Sequence, residues 1–345
     1  MKRKILCLMT ALILLMGAVP AGAGAAPVRF QTTLLDLFDT VTYVMGYAES
    51  RAAFDEEVER FTQSMRTYNS LFDIYNDYEG VNNLKTVNDA AGGEPVSVSK
   101  EMIDFLLFAK EVAVMTAGRV DITLGAVLNV WHEAREYGIA HPDKAYLPDA
   151  EVLTEAARHT GMALLEIDPE ACTVRLTDEK ARLDVGALAK GYAAELSCKN
   201  FPEGYLISVG GNVLVHGAKP DGAKWTVGVT DPFDPYSNSY LATLSMTNGT
   251  VVTSGDYQRY YTVEGVNYHH IIDPDTLMPA KWYKAVTIIC ADSGIGDALS
   301  TALYLMSAED ALPLLEKFDA EAMWVEEDGN VFWTTGFKKY LPFTE

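Results

Sequence analysis

The chain has 345 residues, 49% of them hydrophobic, enough to bury one large core or two intimately packed ones. Its formal net charge is −21 and no dense Lys/Arg cluster interrupts that balance, which excludes nucleic acid as the main partner. An anionic ligand held by such a chain needs a cation beside it.

The N-terminus reads as an export signal. Met1-Lys2-Arg3-Lys4 is basic, Ile5 to Val19 is a nearly unbroken apolar run, and Pro20 to Ala26 supplies small residues for cleavage. Removal of residues 1–26, by cleavage after Ala23, Ala25 or Ala26, would leave one domain over residues 27–345 acting outside the cytoplasm. The alternative is a retained anchor, since the run approaches the length of a span; that segment is the only expected route to membrane association. Cys7 lies inside the apolar run, so lipid modification at a cleavage site is not expected.

Gln31 to Ala48, rich in Thr, Val, Tyr and Leu, reads as strand or hairpin. Glu49 to Phe72 has helical period, with Phe54, Val58, Phe61 and Met65 on one face. Ser99 caps a second helix carrying Met102, Phe105, Leu106, Ala109 and Ala113, closed by Gly118. A further helix follows Pro148-Asp149 to about Thr160. Leu164 to Ile167 and Cys172 to Leu176 read as paired strands, and Asp184 to Lys199 as a strand end turning helical. Strands follow at Tyr205 to Val209, Val213 to His216 and Trp225 to Val229. Leu241 to Met246 and Thr250 to Thr253 flank Asn248-Gly249, a hairpin signal. A strand at Ala285 to Cys290 and helices from about Ile295 and Ala308 close the chain. The fold class is α+β, or mixed α/β, with mixed, largely antiparallel sheets and flanking helices. No G-x-G-x-x-G or Walker loop occurs, and Cys172, Cys198 and Cys290 make neither a disulfide framework nor a zinc site.

Four segments carry possible chemistry. In Leu183 to Ala193, an acidic residue and small residues precede a helix start, which suits an anion or simple close packing. Asp297 and Thr301, four apart, share a helix face as hard oxygen ligands for magnesium, unless Asp297 merely favours the helix dipole. Tyr268 to Pro274 offers a candidate base, and adjacent His269 and His270 on a strand point to opposite faces, so at most one faces a site. Val252 to Tyr260 suits a ligand rim or a hairpin corner. Ser254 with His270 lacks the G-x-S-x-G elbow of a serine hydrolase.

Together these segments resemble the ApbE family of FAD:protein FMN transferases. The likeness runs from about Leu37 to Met306. In order, its parts are Phe38-Asp39-Thr40, Tyr75, Gly118 to Thr123 with Leu128 to Trp131, Asp184 to Tyr192, Gly210-Gly211-Asn212, Thr253 to Asp256, His270 to Pro274 and Asp297 to Thr301. The resemblance implies a T-fold-like architecture and two bound species, Mg2+ and the substrate FAD. Asp297 and Thr301 match the family's magnesium ligands, joined by the backbone carbonyl of Ala187. Phe38, Tyr75, Arg119, Val120, Asp121, Asp184, Lys190 and Ile272 match positions lining the FAD site, and His270 the residue that activates the attacking hydroxyl. The implied reaction moves FMN from FAD to a Ser or Thr hydroxyl of an exported or membrane-bound flavoprotein of an electron-transfer system, releasing AMP. Three departures stand out. Phe38-Asp39-Thr40 replaces the usual Met-Gly-Thr, Ser300 stands where many members carry an acid, and Leu277 stands where a glycine is common. The rival readings are a magnesium-dependent FAD pyrophosphatase, a flavin-binding protein without turnover and, more distantly, a serine hydrolase.

Overall fold

In the computed structural model, which describes residues 26–237 and 239–342, the chain opens with β1 (Val28–Leu37), β2 (Thr40–Ala48) and α1 (Arg51–Phe72). The export-signal reading therefore lies almost wholly outside the described residues. Next come α2 (Leu84–Asp89), β3 (Val96–Ser97), α3 (Lys100–Met115), α4 (Gly125–Ala140) and α5 (Ala150–Ala157). β4 (Leu165–Asp168), β5 (Thr173–Leu176) and α6 (Ala189–Cys198) precede a run of strands: β6 (Tyr205–Val209), β7 (Asn212–His216), β8 (Trp225–Thr230), β9 (Tyr240–Met246), β10 (Asn248–Gly255), β11 (Tyr260–Val263) and β12 (Val266–His269). β13 (Ala285–Cys290), α7 (Ser293–Tyr304), α8 (Ala308–Lys317), β14 (Glu321–Val325) and β15 (Val331–Trp333) follow.

One eight-stranded sheet, in the order β1-β2-β6-β7-β10-β13-β14-β15 and antiparallel at every pairing, organises the domain. Its central strands are apolar at consecutive positions because both faces are covered. Ile207, Leu214, Ile288 and Trp324 point into the main core with α1, α3, α6 and α7. Their neighbours Leu206, Val215, Ile289 and Met323 point the other way, onto the β8–β9 ribbon. The expected face of α1 is the buried one: Phe54, Phe61 and Met65 are almost wholly enclosed, each contributing about 1.5–3 kcal/mol. A third cluster joins α4, α5 and the β11–β12 hairpin through Val127, Trp131, Leu153, Tyr261 and Ile272.

Four local expectations differ from the structure. Asn248-Gly249 is not a hairpin turn: β9 pairs with β8, and Asn248-Gly249 already belongs to β10, opposite His216 and Val215. Gly249 is needed there for close approach, since a Cβ would lie 2.7 Å from the Cys290 carbonyl oxygen. Asp184 ends no strand; only an isolated bridge, Leu124 to Arg182, precedes it. α3 is closed not by Gly118 alone but by two left-handed residues, Ala117 (φ 50°) and Gly118 (φ 80°), whose N–H returns to the Ala113 carbonyl at 2.8 Å. Finally, the C-terminal helices do not end the chain, because β14 and β15 extend the sheet beyond them. Cys172, Cys198 and Cys290 are free thiols.

Candidate active site

A cavity of about 560 Å³ opens between the sheet, the α6–α7 pair and the α4/β11–β12 lobe. It collects residues up to 266 positions apart in sequence, from Asp39 to Leu305, which is why no single segment announces it. Tyr75, Arg119, Val120, Asp121, His270 and Ile272 line it, as do Asp184, Ala187, Lys190, Asp297 and Thr301. Phe38 does not. Its ring packs on the main core and its N–H donates to Asn69 Oδ1 at 2.6 Å, while Asp39 and Thr40 take the place on the wall.

The wall gathers Arg119, Arg135, Lys190 and Arg259 against Asp39, Asp121, Asp184 and Asp297, so a strongly acidic chain presents a locally balanced cavity. Several of these groups are held by the turns that carry them. Arg119 reaches Asp275 at 2.6 Å and Asp273 at 3.5 Å. Asp121 Oδ1 accepts the Thr123 amide and hydroxyl at 2.8 and 2.6 Å, and Asp184 Oδ1 accepts the Gly186 amide at 2.9 Å. Tyr75 follows Asp73, whose Oδ1 accepts the Tyr75 and Asn76 amides at 2.6 and 2.9 Å. Burial pushes Asp73 up, but hydrogen bonds from the Asn76 side chain, the two amides and Tyr78 outweigh it and hold the carboxyl below its usual range. The Tyr75 ring is 5.2 Å from that of His132 and is 54% exposed, leaving a face free for a flat ligand.

Sequence reading left α4 unassigned, yet Leu128, Trp131, His132 and Arg135 line the cavity at the i, i+3, i+4, i+7 spacing of one helix face. Gln258, Arg259 and the buried Asn212, whose amide nitrogen has no partner, are further wall residues with no assigned role.

The two adjacent histidines differ in freedom, and both touch the cavity, contrary to the strand-alternation expectation, because β12 ends at His269. His269 is locked: Nε2 donates to the Ala280 carbonyl at 2.8 Å and Nδ1 accepts the Ile271 amide at 3.2 Å. His270 Nδ1 faces the Arg259 carbonyl at 3.2 Å, so it must carry the proton, and Nε2 keeps the lone pair. Burial, with Arg259 and His269 alongside, pushes the His270 imidazole down to about 3. That shift favours the neutral imidazole.

Among the described residues no three His, Cys, Asp or Glu side chains gather as a ready-made metal cluster. The oxygen set at α6–α7 is of another kind: one carboxylate (Asp297), one hydroxyl (Thr301) and one main-chain carbonyl (Ala187), hard donors on residues that line the same cavity. Asp297 is 4% exposed and its Oδ2 accepts the Gly191 amide at 2.8 Å, with Lys190 Nζ 3.7 Å away. Gly191 is the third residue of α6, so its amide has no acceptor within the helix, and Asp297 supplies one. This helix start thus spends a donor on a protein carboxylate rather than on an anion. The set fits a small divalent cation with remaining positions filled by ligand or water.

Along the chain, these wall segments follow the ApbE order. A sequence model of the ApbE family matches residues 29–324. The chain belongs to the ApbE family. An FAD:protein FMN transferase of Chlamydia muridarum is 29% identical over 268 residues, 74% of this chain and 80% of its own. One of Klebsiella pneumoniae is 28% identical over 340 residues, 95% of this chain and 93% of its own. The solved ApbE protein of Thermotoga maritima aligns with a TM-score of 0.79 at 28% identity, covering 92% of this chain and 100% of that one.

Each departure from the ApbE pattern has a structural setting. Asp39 (φ 52°) and Leu277 (φ 60°) both occupy left-handed backbone, where the family's glycine fits without strain. Ser300 is fully buried and absent from the cavity wall, so it makes no contact with a ligand there. Ser254 bonds Ser300 at 2.8 Å rather than a histidine, which removes the hydrolase reading.

Proposed function

We propose that this ApbE-family chain is an exported FAD:protein FMN transferase that moves FMN to a Ser or Thr hydroxyl of a flavoprotein outside the cytoplasm. Support for export is the signal-like segment of residues 1–26, and support for the chemistry is the relatives' shared activity together with the cavity. The observation that carries the reading is the convergence on one cavity of Asp297, Thr301 and the Ala187 carbonyl with Lys190 and a His270 whose Nε2 lone pair is free.

Asp297, Thr301 and the Ala187 carbonyl would hold magnesium, which when bound supplies charge neutralisation at the pyrophosphate. Lys190 adds a fixed positive charge beside the same phosphates. The Tyr75 face stacks on a ring of FAD, fixing the substrate's direction. The acceptor hydroxyl oxygen forms a bond to the FMN-side phosphorus as the bond from that phosphorus to the bridging oxygen breaks. The hydroxyl proton passes to His270 Nε2, and AMP carries away the bridging oxygen.

The test mixes the purified protein with FAD, magnesium and a membrane flavoprotein fragment. Mass spectrometry should show the fragment gaining one FMN as AMP appears. Free FMN with AMP and an unmodified fragment would instead assign a pyrophosphatase, and FAD that stays intact would assign a binding protein.

A further inference from the structure

Beside Thr301 runs a row of hydroxyls to which the reaction above gives no part: Ser254, also on the cavity wall, and Ser300, buried away from it. Ser254 Oγ is 2.8 Å from Ser300 Oγ and 3.4 Å from Thr301 Oγ1, and Ser300 Oγ is 3.0 Å from the Asp297 carbonyl oxygen. Each hydroxyl has one proton to give and lone pairs to receive. The carbonyl can only accept, so the bond to it consumes the Ser300 proton. Ser300 is 0% exposed and has no water to turn to; its oxygen therefore accepts from Ser254. With its own proton so used, Ser254 can only accept from Thr301.

We propose that Ser254 and Ser300 are positioning residues that draw the Thr301 proton away from the cavity and so present its oxygen to a divalent cation as a lone-pair donor. The reverse order, from Ser300 to Ser254 to Thr301, leaves the Thr301 proton aimed into the cavity and strips the Asp297 carbonyl of its side-chain donor. The relay thus has two proton orders, and only one of them suits a cation. It runs between β10 and α7, which pack directly together, so the spacing of its members is set by the core.

This inference rests on Asp297 and Thr301 forming the cation site, and the test separates the two. Mn2+ binding to the full chain is titrated by electron paramagnetic resonance, with Mg2+ as competitor, and thermal melting is followed in parallel. Wild type should bind, and Asp297→Ala should not; failure of either overturns the cation site itself. Ser254→Ala should bind Mn2+ about ten- to a hundredfold more weakly, the usual effect of losing a group that orients a ligand. Ser254→Thr, which keeps the hydroxyl, should recover most of that loss. Ser300→Ala should weaken binding less, since Ser254 can still accept from Thr301. Unchanged Mn2+ affinity in a folded Ser254→Ala protein overturns the relay. Should Ser254→Ala fail to fold, Ser300→Ala decides, and affinity equal to wild type there overturns it as well.

Discussion

Where α6 meets α7 the backbones touch: a Cβ on Gly191 would lie 2.3 Å from the Ser293 carbonyl oxygen and 2.5 Å from Asp297 Cβ. At the β6–β7 turn, on another part of the same cavity wall, a Cβ on Gly211 would meet nothing nearer than Gln258 Nε2 at 4.0 Å. The first region is a packed helix pair with its carboxylate enclosed; the second belongs to a rim of tight turns with exposed Gln258, Arg259 and Tyr75. Groups that must hold charge in a fixed place sit where packing leaves no slack. Groups that meet a ligand's rings and a partner's surface sit on turns, where side chains keep their freedom.

Two alanine substitutions should separate these regions. Gly191→Ala overpacks the α6–α7 contact and pushes on Asp297, so it should cost about 3 kcal/mol in urea denaturation and abolish FMN transfer. Gly211→Ala meets no clash but places a Cβ at φ 98°, so its cost should be nearer 1 kcal/mol. Equal costs would mean that the two parts of the wall are not built differently.

His270 belongs to the chemical side of this contrast although it stands on the rim lobe. His270→Gln keeps a hydrogen bond to the Arg259 carbonyl but loses the proton acceptor. The transfer rate should fall about 10²- to 10⁴-fold with FAD affinity nearly unchanged. Because its imidazole is pushed down to about 3, the kcat/KM profile of wild type should show no break from this residue near pH 6.5. A loss of FAD binding in the variant would move His270 from chemistry to recognition.

How much of this was legible in the sequence follows the same division. Period and caps read α1, α3 and the main-sheet strands as far as β13, which bury whole faces in the core, but not β14 and β15. α4 escaped because its inner face is a cavity wall, mixing Leu128 and Trp131 with His132 and Arg135, and because it starts at Leu124 with no side-chain cap. The Asn248-Gly249 hairpin signal failed for a tertiary reason: Asn248 Oδ1 accepts the Gly217 amide at 3.0 Å, and Gly249 lets β10 approach Cys290. The oxygen pair at Asp297 and Thr301 was visible as a helix spacing, but Ala187 comes to the same cavity only through the packing of α6 on α7. No residue pattern encodes that packing.

Acid should weaken the rim lobe through its two histidines. Burial lowers both His269 and His270, His270 to about 3. In the unfolded chain each titrates near the ordinary value of about 6.5. Between those limits the unfolded state binds protons that the folded state refuses, so stability falls as pH drops. Their contribution is complete above about pH 6.5 and is lost as pH falls toward 3. His270→Asn should flatten the decline of the melting temperature across that window, and an unchanged slope would show that other groups govern it.

The smallest effect belongs to the turn that departs from the ApbE pattern. Leu37 pairs with Thr40, so Phe38 (φ 51°) and Asp39 (φ 52°) form a two-residue hairpin turn with both residues left-handed. A non-glycine residue in that region costs about 1–2 kcal/mol, which short polar side chains such as Asp partly reduce. Asp39 is exposed, so Asp39→Gly removes the strain without opening a cavity, while lengthening the list of conformations lost on folding. These opposing terms leave an expected gain of about 0.5 kcal/mol in urea denaturation. Asp39 also faces the cavity, where Phe38 does not, so the same substitution removes one of the four acids on the wall. A doubly anionic substrate should then bind somewhat more tightly, by an amount that shrinks as salt screens the rim. Tighter FAD binding with no gain in stability would place Asp39 with the recognising turns alone; the reverse would make it a matter of backbone strain.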